Sequence, residues 1–74
     1  MTLGEKISQL RIKANFSQEE LADKINVSRQ SVSKWEMNQA LPQIDKVLQL
    51  CELFHISCDQ LLKDDIQRTR LPAL

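Results

Sequence analysis

Four side chains near the middle of the chain have types and a spacing that suit hydrogen bonding to a partner. In the stretch Asn26 to Glu36, "NVSRQSVSKWE", Arg29, Gln30, Ser33 and Lys34 stand at i, i+1, i+4 and i+5. On a helix these positions form one contiguous patch. The apolar residues of the stretch, Val27, Val32 and Trp35, fall elsewhere, and no acid occurs before Glu36. Arg and Lys can donate to O6 and N7 of guanine, and Gln can pair with N6 and N7 of adenine. An acid on such a face would repel phosphate. The chemistry is recognition, with no bond made or broken. The same face also reads as the solvated basic surface of an ordinary helix, so the elements around it must decide.

Those elements are marked by their starts and stops. Thr2…Glu5, Ser17…Glu20 and Ser57…Gln60 each match the capping box, in which a hydroxyl and an acid or amide satisfy two free N–H groups at a helix start. The first helix spans about residues 3–13, with Leu3, Ile7, Leu10 and Ala14 on one face. The second starts at Gln18 and carries Leu21, Ala22 and Ile25. The third follows Ser28, a good N-cap, and carries Val32 and Trp35. Pro42 precedes a fourth over about 44–54, with Ile44, Val47, Leu48, Cys51 and Phe54 inward. The fifth is short, about 58–62. Asn15, Asn26 and Asn38 stand where helices one, two and three should stop, in positions where Gly is commonest and Asn next. No strand alternation lasts. The expected fold is all-α with five helices, over residues 1–63. Residues 64–74, "DDIQRTRLPAL", carry no capping signal and contain Pro72. They read as a frayed end, a linker or a dimer-forming extension.

Helices two and three are joined by about three residues, Ile25 to Val27. So short a connection between two short helices is helix-turn-helix geometry. Ala22 is small enough for the close crossing, and Ile25, Val27, Val32 and Trp35 fill the angle. This accounts for the thin apolar stripe of the opening stretch, and it weighs against reading the polar face as mere surface.

Composition bounds the rest. Seventy-four residues make one domain, which buries about 60–65% of its unfolded surface. One Gly and no Tyr speak against an all-β fold. Net charge is zero, which counts against a broad basic footprint. Residues 1–36 hold six Lys/Arg against five acids and residues 37–74 hold four against five, so any basic patch is local. Cys51 and Cys58 have neither C-x-x-C spacing nor a His cluster, and read as small apolar residues; no metal and no cofactor is expected. No membrane span or signal peptide is seen, so the expected location is cytoplasmic.

Gln18 to Met37, "QEELADKINVSRQSVSKWEM", resembles the helix-turn-helix of the phage repressor and Cro family of bacterial and phage DNA-binding proteins. The likeness runs over about residues 3–63, through "SQEELA", "VSRQSVSKWE", a following Pro and the closing "ISCDQLL". Asn15, Asn26 and Asn38 depart from it, since the family often has Gly there. The resemblance implies a compact lambda-repressor-like domain that binds double-stranded DNA as a transcriptional regulator. It implies base contacts from Arg29, Gln30, Ser33 and Lys34, and phosphate contacts from Gln18, Ser28, Ser31 and Asn38. It implies an internal ion pair between Arg11 and Glu36. An acid at a helix C-terminus is disfavoured by the helix dipole, so a fixed cation beside Glu36 is also expected on physical grounds; the alternative is an unpaired surface Glu. The resemblance further implies a homodimer on a palindromic operator, formed around Cys58, Gln60 and Leu61, although Leu61 reads equally well as core.

Two other classes were open. A protein-interaction module on the same fold fits the zero net charge, but would want exposed Leu, Phe or Trp on helix three. An enzyme is the third class and is not expected: His55 stands without a motif-placed nucleophile and reads as a surface or capping residue, and there is no phosphate-cradling glycine run.

Overall fold

The computed structural model describes residues 2–62. Four helices, α1 (Leu3–Lys13), α2 (Gln18–Lys24), α3 (Arg29–Glu36) and α4 (Ile44–Phe54), are followed by a helical segment, α5, over residues 58–62. No strand occurs among the described residues. The tail assigned to residues 64–74 lies outside them.

Local chemistry sets the starts. Thr2 accepts from the Glu5 N–H while the Glu5 carboxylate accepts from the Thr2 N–H. Ser17 and Glu20 repeat the exchange at α2, and Ser57 and Gln60 at α5. The stops share one device. The Phe16, Val27, Gln39 and Ile56 N–H groups bond to carbonyls five residues back, at Arg11, Ala22, Lys34 and Cys51. The residue before each donor is left-handed: Asn15 (φ 65°), Asn26 (φ 62°), Asn38 (φ 61°) and His55 (φ 57°). These are Schellman closures. The sequence marks three of the four; His55 is the one it reads only as a surface or capping residue.

Leu3, Ile7, Leu21, Ala22, Ile25, Val32, Trp35, Val47, Leu50, Cys51 and Leu61 form the core, and no polar residue of the described chain is buried with them. Gly4 permits a close helix approach. A Cβ there would press into the carbonyl oxygens of Trp35 and Glu36 and into the Asn38 Oδ1, so the start of α1 sits against the end of α3.

Two expectations are corrected, and the open choice for Leu61 falls to the core. Ile44 and Leu48 are 70% and 52% exposed, and Leu50 is buried in their place. Helix α4 carries two overlapping apolar rows, 44/47/48/51 and 47/50/51/54, and the second faces the core. Ala14 is exposed because α1 has ended before it. Leu61 is 1% exposed and belongs to the core.

Candidate nucleic-acid interface

Helix α3 is pinned from one side. Val32 and Trp35 are buried against α1 and α2, while Arg29, Gln30 and Lys34 are exposed. Ser33, between them, is half-buried, and its hydroxyl lies 3.9 Å from the Met37 sulfur. Arg29, Gln30 and Lys34 therefore form the free face, with Ser33 at its inner edge. No acid stands in the first turn of α3, so the positive end of its dipole is left unneutralised from within the helix.

The candidates for phosphate contact have different surroundings. Ser28 is exposed, and its Oγ accepts from the Ser31 N–H and shares a 3.0 Å bond with the Ser31 hydroxyl. Asn38 is exposed at the far end of α3, with its Oδ1 accepting from the Gly4 N–H at 3.3 Å. Gln18 is half-buried and donates from Nε2 to Glu36 Oε1 at 3.0 Å. An amide carries two N–H donors, so Gln18 can hold Glu36 with one and offer the other.

Glu36 gathers three elements. Arg11 donates from Nε to Oε2 at 2.7 Å and from Nη2 to Oε1 at 3.2 Å, a two-pronged pair. Its Nη1 donates to the Phe16 carbonyl at 2.8 Å, tying in the turn between α1 and α2. Both side chains are largely covered, 15% and 8% exposed. The network fixes the end of α3 to α1, and through Gln18 to the start of α2.

One positioning contact has no signal in the sequence. Lys46 reaches back from α4 to the Ile25 carbonyl at 3.0 Å, where α2 closes. A cation at the negative end of a helix is favourable, and here it braces the turn that sets the α2–α3 angle. The residues expected at the interface between copies separate: Gln60 is exposed, Cys58 is half-buried against Cys51, and Leu61 lies in the core. Among the described residues no cluster of three or more His, Cys, Asp or Glu suits a metal ion, and no helix is long and apolar enough to cross a membrane.

Two short helices joined by a closed turn, the second clamped by a largely covered ion pair with its basic and amide face free, define a helix-turn-helix. The chain belongs to the helix-turn-helix family, whose model matches residues 7–61. It is 35% identical over 69 residues to the HTH-type transcriptional regulator ImmR of Bacillus subtilis, covering 92% of this chain and 54% of that one. It is 32% identical over 69 residues to the repressor protein C2 of Salmonella phage P22, covering 93% of this chain and 32% of the repressor. The chain thus spans about half or less of the length of these relatives. The structure resembles the P22 c2 repressor in complex with a synthetic operator, with a TM-score of 0.80 and 32% identity, over 85% of this chain and 96% of that one. The solution structure of the P22 C2 DNA-binding domain also matches with a TM-score of 0.80.

Proposed function

We propose that this chain is the sequence-specific double-stranded DNA-binding domain of a cytoplasmic transcriptional regulator, with α3 lying in the major groove. The observation that carries the reading is the two-sidedness of α3. Val32 and Trp35 are locked into the core, and Arg29, Gln30 and Lys34 stand free with no acid in the first turn. Arg29 and Gln30, nearest the helix start, read base edges; Ser33 lines the inner edge of that contact; Lys34 reads a base or holds a phosphate. Gln18, Ser28, Ser31 and Asn38 set the register on the backbone. Relatives named as transcriptional regulators, and the likeness to a repressor held on its operator, support the assignment.

One such helix reads a short site, so two copies on a palindrome are proposed. Cys58 and Gln60 then lie in the contact between copies. The exposed Leu48 supports this end of the molecule, since with Ile56 and Cys58 it lines a shallow depression between α4 and α5.

A second reading keeps one observation. Leu41, ahead of α4, and Ile44 and Leu48 on it are exposed, which suits a protein partner on the same fold. Ile44 and Leu48 stand on α4, while Leu41 lines a depression with Ser31 and Trp35 of α3, whose free face is polar.

Selection from random duplexes, followed by titration at several salt concentrations, tests the first reading. A single enriched palindromic sequence is expected, bound with the loss of affinity in salt that phosphate contacts impose. Lys34→Ala that lowers the salt slope with base preference unchanged assigns Lys34 to phosphate. No enrichment above a scrambled duplex would hand the lead to the protein-partner reading.

A further inference from the structure

The DNA-contacting face makes no use of two thiols, of which only Cys58 borders the contact proposed between copies. Cys51 lies in the last turn of α4 and Cys58 opens α5, and both are free. By sequence they are unrelated small apolar residues. In the structure the Cys51 S–H donates to Cys58 Sγ at 3.0 Å. The contact comes from a tightly determined turn. The Ile56 N–H closes onto the Cys51 carbonyl at 3.0 Å, His55 is left-handed, and the Ser57–Gln60 capping box fixes the direction of α5. The start of α5 is thereby folded against the last turn of α4.

We propose that Cys51 and Cys58 form a reversible thiol–disulfide site whose closure locks the turn between α4 and α5. Bond formation requires the sulfurs to close from 3.0 Å to about 2.05 Å, a movement of side-chain size. The two thiols are not equivalent. Both border the open depression lined by Leu48, Glu52, His55 and Ile56, but in a single copy Cys58 is half-buried where Cys51 is only 6% exposed, so an oxidant reaches Cys58 first. Cys51 is buried, and that burial, followed by the hydrogen bond and charge of Cys58, pushes its pKa up to about 12. A thiol held protonated is a poor first nucleophile, which suits it to the resolving step.

The co-reactant is a low-molecular-mass disulfide. The Cys58 sulfur, as thiolate, attacks one sulfur of that disulfide and displaces its partner as a thiolate, leaving a mixed disulfide on Cys58. Cys51 passes its proton to a departing thiolate as its sulfur attacks Cys58 Sγ, and the second small thiol leaves. Two protein thiols are oxidised to one disulfide, and one small disulfide is reduced to two thiols. Reversal needs only excess thiol. The covalent link then spans a short loop and removes freedom from the unfolded chain.

The chain has two cysteines in all, so intact mass after treatment with oxidised glutathione and then iodoacetamide accounts for every thiol. The wild-type chain is expected to lose a pair of hydrogen atoms, to carry neither glutathione nor alkyl groups, and to remain unlinked to other chains. Its thermal midpoint should rise by at least about 4 °C and return with dithiothreitol. Cys51→Ala should trap one glutathione on Cys58, and Cys58→Ala should stay unmodified while folded. A stable glutathione adduct on the wild-type chain, a disulfide-linked dimer, two alkylatable thiols, or an unchanged or lowered midpoint would each overturn the proposal. None of these readouts depends on DNA.

Discussion

Helices α2 and α3 are neighbours of nearly equal length, each opened by a serine and each burying two residues, yet they start in opposite ways. Helix α2 opens with Glu19 and Glu20, and Glu20 completes a reciprocal capping box with Ser17. Both features favour a helix N-terminus. Helix α3 has neither. Its third position is Ser31, which returns no carboxylate to the Ser28 N–H, and its first turn holds Arg29 and Gln30. The supporting helix is finished for stability, whereas the presenting helix gives up an acid exactly where an acid would repel phosphate. The stability forgone at the start of α3 is restored at its end, where Glu36 is clamped by Arg11 and Gln18.

The largest effect should come from that clamp. Glu36→Ala leaves Arg11 covered and unpaired, which should cost about 3 kcal/mol of stability. A double-mutant cycle with Arg11→Ala, read by chemical denaturation, should show strong coupling. Additive losses would mean that α3 needs no clamp.

Next is the contrast between the two first turns. Arg29→Ala and Gln30→Ala should change stability by less than about 0.5 kcal/mol and weaken binding to the selected duplex by about 1–3 kcal/mol for each lost base contact. Gln18→Ala should weaken binding to all duplexes alike, because phosphate contacts carry no sequence information. Glu19→Ala, on the supporting helix, should not weaken binding at all. Titration of the four variants against selected and scrambled duplexes separates these outcomes. If Glu19 and Arg29 variants behave alike, the division of labour between the helices is wrong.

A smaller effect tests whether the missing acid is a compromise. Ser31→Glu should complete the capping box on Ser28 and raise stability by about 0.5 kcal/mol. It should also weaken DNA binding, most clearly at low salt where charge repulsion is least screened. Thermal melts paired with binding isotherms would show whether the two move in opposite directions.

The smallest concerns the turn itself. Asn26→Gly relieves the cost of a side chain at φ 62° but frees the unfolded chain, so the two terms nearly cancel to a few tenths of a kcal/mol. A large loss in a melting experiment would show that the Asn26 side chain does more than tolerate the backbone.

The legible part of this molecule is the part governed by interactions within one helical turn. Thr2, Ser17, Ser28 and Ser57 mark four helix starts, and Asn15, Asn26 and Asn38 mark three stops, because capping and left-handed closure depend on residues a few positions apart. The separation of Arg29, Gln30 and Lys34 from Val32 and Trp35 was visible for the same reason: it follows from the helical period. His55 escaped notice as a stop because its left-handed backbone has no strong residue signature.

What the sequence determined by itself is therefore the set of helices, the short turn between α2 and α3, and the polar face that α3 presents. Only the tertiary structure decided which apolar row of α4 turns inward, since Ile44 and Leu48 are as apolar as Leu50 and local physics ranks the two rows alike until the rest of the core is there to pack against. Only packing brings Gln18 onto Glu36, Lys46 onto the Ile25 carbonyl and Cys51 against Cys58. Each of those contacts joins separate helices. Their existence depends on crossing angles set by the whole core, which short-range sequence patterns do not encode.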